Sequence, residues 1–369
     1  MHVLTSKFIE RFFILAVAVL MQFATASAQS SMYARNQAAL GRNQFAPLPI
    51  QIPVPGSGKE IAYVGDDFED PQWNFVHNMP KSSREQNERT YGPFAYSTNR
   101  RWSEGPERGQ PDSLMIIPTP SSGLPGSEHA LQITTMHSGV PGEQSYDVQQ
   151  DDLILNVSTR LGSSIRASEM PNCLVRLYLP HPDVWEDRTG PHFGMRLGVR
   201  TTAEKPRKGL FSVGTSLQNE PYWPGIWVHF RSKTTRGVEK DAVLIKVRAN
   251  SLGHDFPVKE IPADQFGWWT FGMSVSADGQ IHYFARQGVE NLRPQDLMVS
   301  QFPYGYEAER VTSFFFNICN RNDGRTWSTP FVIDDPQFFV VDSARIDQIV
   351  DRKVQYETKK AEASRSTKR

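Results

Sequence analysis

His192-Phe193-Gly194-Met195-Arg196-Leu197-Gly198-Val199-Arg200 alternates between two chemistries. Phe193, Met195, Leu197 and Val199 share one parity, while His192, Arg196 and Arg200 share the other. A period of two is the signature of a β-strand with one buried face. Ile226, Val228 and Phe230 repeat the alternation against Trp227, His229 and Arg231. Val243, Ile245 and Val247 repeat it against Lys246 and Arg248. The second parity carries cations and rings and no carboxylate. A sheet face built this way suits an anionic, ring-containing ligand. Ile226 to Phe230 and Ala242 to Arg248, with the polar stretch 231 to 241 between them, read as one antiparallel hairpin.

Similar segments recur along the chain, at Ala130 to Thr135, Leu153 to Ser158, Cys173 to Leu179, Trp269 to Val275, Ile281 to Ala285, Ser313 to Ile318 and Gln337 to Val341. Turn signals such as Pro125-Gly126, Asp278-Gly279 and Asp323-Gly324 separate them. Many short strands between turns imply an all-β sandwich or barrel. The core is expected to include Phe193, Leu197, Val228, Val243, Ile245, Phe271 and Val275. The polar stretch from Arg84 to Ser127 is expected to decorate the sandwich as loops, with a short apolar insert at Leu114 to Ile117. After Val341 the period changes. Ile346, Ile349, Val350 and Val354 fall at helical spacing, followed by Lys- and Glu-rich sequence, so a short helix and a disordered tail are expected over 344–369.

At the other end, Lys7 and Arg11 precede an apolar run from Phe12 to Met21, and Ala26-Ser27-Ala28 is a small-residue cleavage site. This reads as an export signal over 1–28 that leaves Gln29 first and no transmembrane segment in the mature chain. Residues 29–58 are rich in Gln, Asn and Pro and read as a flexible leader, with the β-sandwich domain spanning 59–343. The expected location is extracellular, periplasmic or envelope-associated. The 40 Lys and Arg balance 40 Asp and Glu. That balance excludes a general nucleic-acid binder, which would carry a basic excess over a whole domain. The two cysteines, Cys173 and Cys319, would either form one disulfide after export or remain separate buried thiols.

The stretch Phe266 to Gly288, with Trp268, Trp269, the Asp278-Gly279 turn and a second aromatic strand through Tyr283 and Phe284, resembles the central hairpin of concanavalin A-like lectin/glucanase and laminin-G-type jelly rolls. Asp67-Phe68-Glu69-Asp70 with Trp73, and Phe331-Val332-Ile333-Asp334-Asp335, resemble the edges of secreted carbohydrate-binding jelly rolls. The resemblance implies an antiparallel two-sheet sandwich with a glycan-binding concave face. It does not imply catalysis, because the Glu-x-Asp-x-Glu strand of the retaining glucanases is absent. Gln280-Ile281-His282 resembles the Gln-Ile-His element of jelly-roll alginate lyases, which would make Gln280 and His282 catalytic. The Arg-x-Glu and Tyr-x-Lys motifs that accompany it there are missing.

Among binding candidates, Tyr222, Trp223 and Trp227 flank a Pro-Gly bend and offer ring faces for sugar stacking. His192, Arg196, His229, Arg231, Lys246 and Arg248 are the cationic candidates. The ordinary alternative for these residues is a solvated sheet face. If the first and last strands pair, Asp67, Glu69, Asp70, Asp334 and Asp335 bring together the hard oxygen ligands that calcium prefers. Jelly-roll carbohydrate modules hold a structural ion at a similar edge. The reading is an exported protein that binds a polysaccharide, with anionic glycans favoured. A jelly-roll polysaccharide lyase or glycoside hydrolase and an envelope adhesion module are the alternatives.

Overall fold

The structure, a computed structural model, describes residues 51–140, 149–207 and 214–366. The export segment, residues 29–50 of the leader and residues 367–369 lie outside the described residues. Two antiparallel sheets dominate. The smaller runs in the order Leu297–Gln301, Ile281–Gln287, Gly267–Val275, Pro171–Leu179, Phe331–Val340, His129–Thr134 and Ser113–Pro118. Lys59–Glu60 pairs with Phe331–Val340, so the first and last strands of the sandwich meet. The larger runs Phe256–Pro262, Ala242–Arg248, Gly225–Arg231, Gly190–Pro206, Arg310–Asn320, Gln149–Leu155 and Trp102–Glu104, then two short strands. Thr215–Tyr222 extends it as a partner of Gly190–Pro206 alone.

The alternation explains how the sheets stack. Phe193, Leu197, Val228, Val243 and Ile245 from the larger sheet meet Phe271 and Val275 from the smaller in one core, each at most 1% exposed. Phe193 reaches across to Phe331 with ring centroids 5.1 Å apart. The antiparallel two-sheet sandwich implied by the resemblance is the architecture observed. The expected antiparallel hairpin is present, with Ile226 opposite Val247 and Val228 opposite Ile245.

The differences have local causes. Thr215–Tyr222, Phe256–Pro262 and Leu297–Gln301 are strands without a buried apolar parity, because each lies at an edge. The expected strand Leu153 to Ser158 stops at Leu155, since the Asn156 side chain accepts from the Thr159 amide and caps a helical turn, Val157–Leu161. Ser113–Pro118 and Trp102–Glu104 are sheet strands within the stretch expected to be loop. The C-terminal helix is longer than expected, Ala344–Ser366, as its Lys- and Glu-rich half favours helix without packing. Ile346 anchors it in the core. At the other end the chain already packs before Lys59: Val54 lies against Leu174, Phe284, Leu292 and Phe339, and the Gly56 amide donates to Asn172 at 2.8 Å.

Cys173 and Cys319 are free and buried, so the bridge is not formed. Cys173 faces the core between the sheets, whereas Cys319 follows the core residue Ile318 and points to the opposite side of its strand. Burial holds both thiols above their ordinary range.

Candidate functional site

The outward parity of the larger sheet forms rows across the strands. Lys246, Trp227, Gly194, Asn317 and Asp152 are successive cross-strand partners. Arg248, Gly225, Arg196, Phe315 and Ile154 form the adjacent row. Glycine is required at two crossings. A Cβ on Gly194 would stand 2.7 Å from the Trp227 ring, and one on Gly225 would stand 2.5 Å from Arg196 Cγ. The Trp227 ring and the Arg196 side chain occupy the space that these glycines leave free.

A depression of about 320 Å³ opens here, lined by Arg196, Trp227, His229, Lys246 and Arg248, with Arg108 and Asp255 at its rim. Five of the sequence candidates therefore converge. Arg196 is buried and immobilised: Nε and Nη2 donate to the Trp223 carbonyl at 3.2 and 2.8 Å. Its guanidinium lies 5.4 Å from the Trp227 ring and 5.5 Å from Phe315. Burial, then Arg248 and Arg108, lowers its pKa to about 10. Arg248 binds Asp255 in bidentate fashion at 2.8 and 3.1 Å. Lys246 and His229 have no hydrogen bond or ion pair among the described residues. Burial and then the Lys246 charge lower the His229 pKa to about 4, so its ring is neutral near pH 7.

Arg108 also lines the next depression, of about 460 Å³, with Trp223, Phe315, Ile154 and Asp152. Trp223 is 43% exposed. Asp152 accepts from Asn317 Nδ2 at 2.5 Å and lies 3.9 Å from Arg108. Burial raises its pKa to about 6, against the pull of Arg108 and Arg196. Ile154 and Ser313 carry the surface on into a third depression of about 910 Å³, rich in hydroxyl groups, where Arg200 and Arg310 stand near Asn219 and Thr312. The first and second depressions share Arg108, and the second and third share Ile154 and Ser313, so they adjoin along the sheet as a cleft.

Three binding candidates lie elsewhere. His192 is fully buried beside Trp185, its Nδ1 2.8 Å from Thr329 Oγ1 and its Nε2 3.2 Å from the Arg188 carbonyl. Tyr222 turns into the core, its ring 5.5 Å from Tyr306. Arg231 pairs with Glu260 at 3.0 Å, outside the depression. Of the catalytic candidates, Gln280 lies in the turn before Ile281–Gln287 and His282 within that strand, both on the other sheet's side of the sandwich. His282 is buried, with Ser300 and Ser276 hydroxyls 2.7 and 2.9 Å from its two ring nitrogens, so it offers no group to the cleft. Sequence reading missed Arg108, Asp152, Phe315 and Asn317. The alternation of Phe314, Phe316 and Ile318 against Ser313, Phe315 and Asn317 was the available signal for two of them.

At the edge where the first and last strands meet, Asp334 is fully buried and neither carboxylate oxygen makes a hydrogen bond of ordinary geometry. The Ser127 hydroxyl and the Asp335 amide are near enough to lower its pKa, by less than burial raises it. Burial raises Asp334 to about 6; burial and then Asp334 raise Asp335 to about 7. Asp335 and Asp67 line a cavity of about 280 Å³ with Glu60, Asp66 and Arg101, whose guanidinium donates to the Ala62 carbonyl. A cation suits this edge because a buried carboxylate without donors is costly. Asp334, Glu69 and Asp70 do not line that cavity. Glu69 accepts from the Glu128 and His129 amides, lies 3.0 Å from the His129 ring, and forms with Glu128 and His129 the one group of such residues, among those described, whose ligand atoms converge closely enough for an ion; Asp70 caps a turn through the Gln72 amide.

No family model matches the chain. No curated protein matches it either. Among solved structures it is similar to a carbohydrate esterase from a Shiga toxin-encoding bacteriophage, at 10% identity and TM-score 0.35, over 65% of this chain and 90% of that one. A carbohydrate-binding module of Caldicellulosiruptor saccharolyticus, in complex with mannohexaose, is 12% identical at TM-score 0.28, over 74% and 94%. An alginate lyase from Pseudomonas aeruginosa is 12% identical at TM-score 0.30, over 61% and 84%. Likeness at this level assigns neither a ligand nor an activity.

Proposed function

We propose that the protein binds an acidic polysaccharide along the cleft of the larger sheet. The observation that carries this reading is the convergence of Arg196, Arg248, Lys246 and His229 around Trp227, with Lys246 and His229 uncommitted. Arg196 and Arg248 are held rigid, so positive potential is present before a ligand arrives and little side-chain entropy is lost on binding. A sugar carboxylate or sulfate gains charge-assisted hydrogen bonds there. Trp223, half exposed beside the depression, offers a ring face to the next sugar. The reading is of a binding protein. It is tested by titrating acidic and neutral polysaccharides of equal length onto the purified chain. Saturable binding of the acidic polymer alone is expected, and equal binding of both refutes the anionic preference.

The N-terminal segment is proposed to export the chain to where such polymers lie. The exported protein should then begin at Gln29. A calcium ion is the second part of the proposal, favoured by the two unpaired oxygens of Asp334. Asp335 and Asp67 would hold it in the cavity they share, next to Asp334 in sequence, and its role would be to neutralise the buried acidic edge and fix the pairing of the first and last strands.

A further inference from the structure

Charge is not uniform along the cleft, and its spacing bears on which acidic polymer fits. This inference rests on the reading above and narrows it. One end is net cationic, with Lys246, Arg196 and Arg248, the last paired with Asp255. The far end is net cationic again, where Arg200 and Arg310 outnumber Glu309, whose carboxylate accepts from the Thr202 amide and hydroxyl. Arg200 makes no side-chain hydrogen bond or ion pair among the described residues. The middle is different. Its floor is apolar at Phe315 and Ile154, and its acids are Asp152 below and Glu85 and Glu107 at the wall. Arg108 is the one cation lining it and is paired with Glu85, and Glu107 is paired with Arg84, which leaves Asp152, 3.9 Å from Arg108, as the acid held least closely.

Arg196 and Arg200 lie on one strand four positions apart, which sets their Cα atoms roughly 13 Å apart, the span of about two to three pyranose units. A polymer with a carboxylate on every sugar would place at least one of them over the apolar, acid-lined middle. There it would lose water without gaining a cation and would face like charge. A polymer with acidic and uncharged sugars in alternation sets its charges at the two cationic ends and an uncharged ring over Phe315 and beside Trp223. We infer that the cleft selects a linear polysaccharide whose acidic sugars are separated by uncharged ones, and rejects homopolymers of uronate. The device is repulsive as well as attractive, as specificity commonly requires.

Calorimetric titration of the full exported chain with hexasaccharides tests this. Hyaluronan and chondroitin fragments serve as the alternating probes, oligogalacturonate and oligomannuronate as the homopolymers. The alternating fragments should bind at least about tenfold more tightly, a difference of about 1.4 kcal/mol. Asp152→Asn keeps the shape and the bond from Asn317, and it should narrow the gap by strengthening the homopolymers. Equal or tighter binding of the homopolymers overturns the inference and leaves the anionic-glycan reading standing. A gap unchanged by Asp152→Asn overturns the role of the central acid. Binding of neither class removes both the inference and the reading it rests on.

Discussion

The outer faces of the two sheets are built from the same alternation and end in opposite states. On the smaller sheet the outward residues Leu174 and Phe284 are buried under Leu292, Val54 and Leu297. The polar groups between them are saturated. Arg176 donates to the Val289 carbonyl, Gln337 and Asn291, and both ring nitrogens of His282 are bonded to serines. On the larger sheet Trp227, Arg196 and Phe315 are buried within the face, but Trp223 is 43% exposed, and among the described residues the Lys246 and His229 side chains have no hydrogen-bond or ion-pair partner. His229 and His282 make the contrast concrete, since burial lowers both to about 4. The buried ring with two partners is structural, and the partly exposed ring with none is available to a ligand. Strand periodicity therefore identifies a face, whereas function depends on whether other parts of the chain cover it.

The largest effect is expected on the closed face. Phe284→Ala should cost about 3–5 kcal/mol of stability, the usual range for a buried phenylalanine. Trp223→Ala on the open face should leave the melting temperature nearly unchanged. Equal losses in denaturant unfolding would erase the distinction between the faces.

A smaller effect is expected at the acidic edge. Asp334 and Asp335 have pKa values raised to about 6 and about 7 in the folded state, above the ordinary 3.8. Between these values the folded chain holds protons that the unfolded chain has released. These two groups therefore make stability fall as pH rises from about 4 through 7. Calcium should reverse this loss near pH 7, and chelator should restore it. Asp335→Asn should raise the melting temperature in chelator and remove the calcium response. A wild-type melt indifferent to calcium, with Asp335→Asn lowering it, would exclude the ion.

Much of this contrast was legible in the sequence. The hairpin register and the inward parity follow from period two, which fixes the side of the sheet on which each residue lies. For the same reason Arg196, Trp227, His229, Lys246 and Arg248 could be gathered in advance. The misplaced candidates reflect information that periodicity does not hold. His192 shares the parity of Arg196, yet a bulge at Pro191 and Phe193 and the ring of Trp185 close over it. Tyr222 neighbours Trp223 and so takes the opposite face. Asp152 and Asn317 enter the cleft only through strand order across long sequence separations, and Arg108 comes from a stretch whose irregular sequence gives no period to read.

The central claim is that the open face binds acidic polysaccharide through charge at Lys246 and stacking at Trp223. The direct test is the affinity of the wild type, Lys246→Ala and Trp223→Ala for an acidic polysaccharide at low and high ionic strength. Exposed charges are screened over about 8 Å at physiological salt. Lys246→Ala should therefore weaken binding several-fold at low salt and little at high salt. Trp223→Ala should cost about 1 kcal/mol at both, as aromatic contacts do. Binding that survives both substitutions unchanged would contradict the account and leave this surface a solvated sheet face.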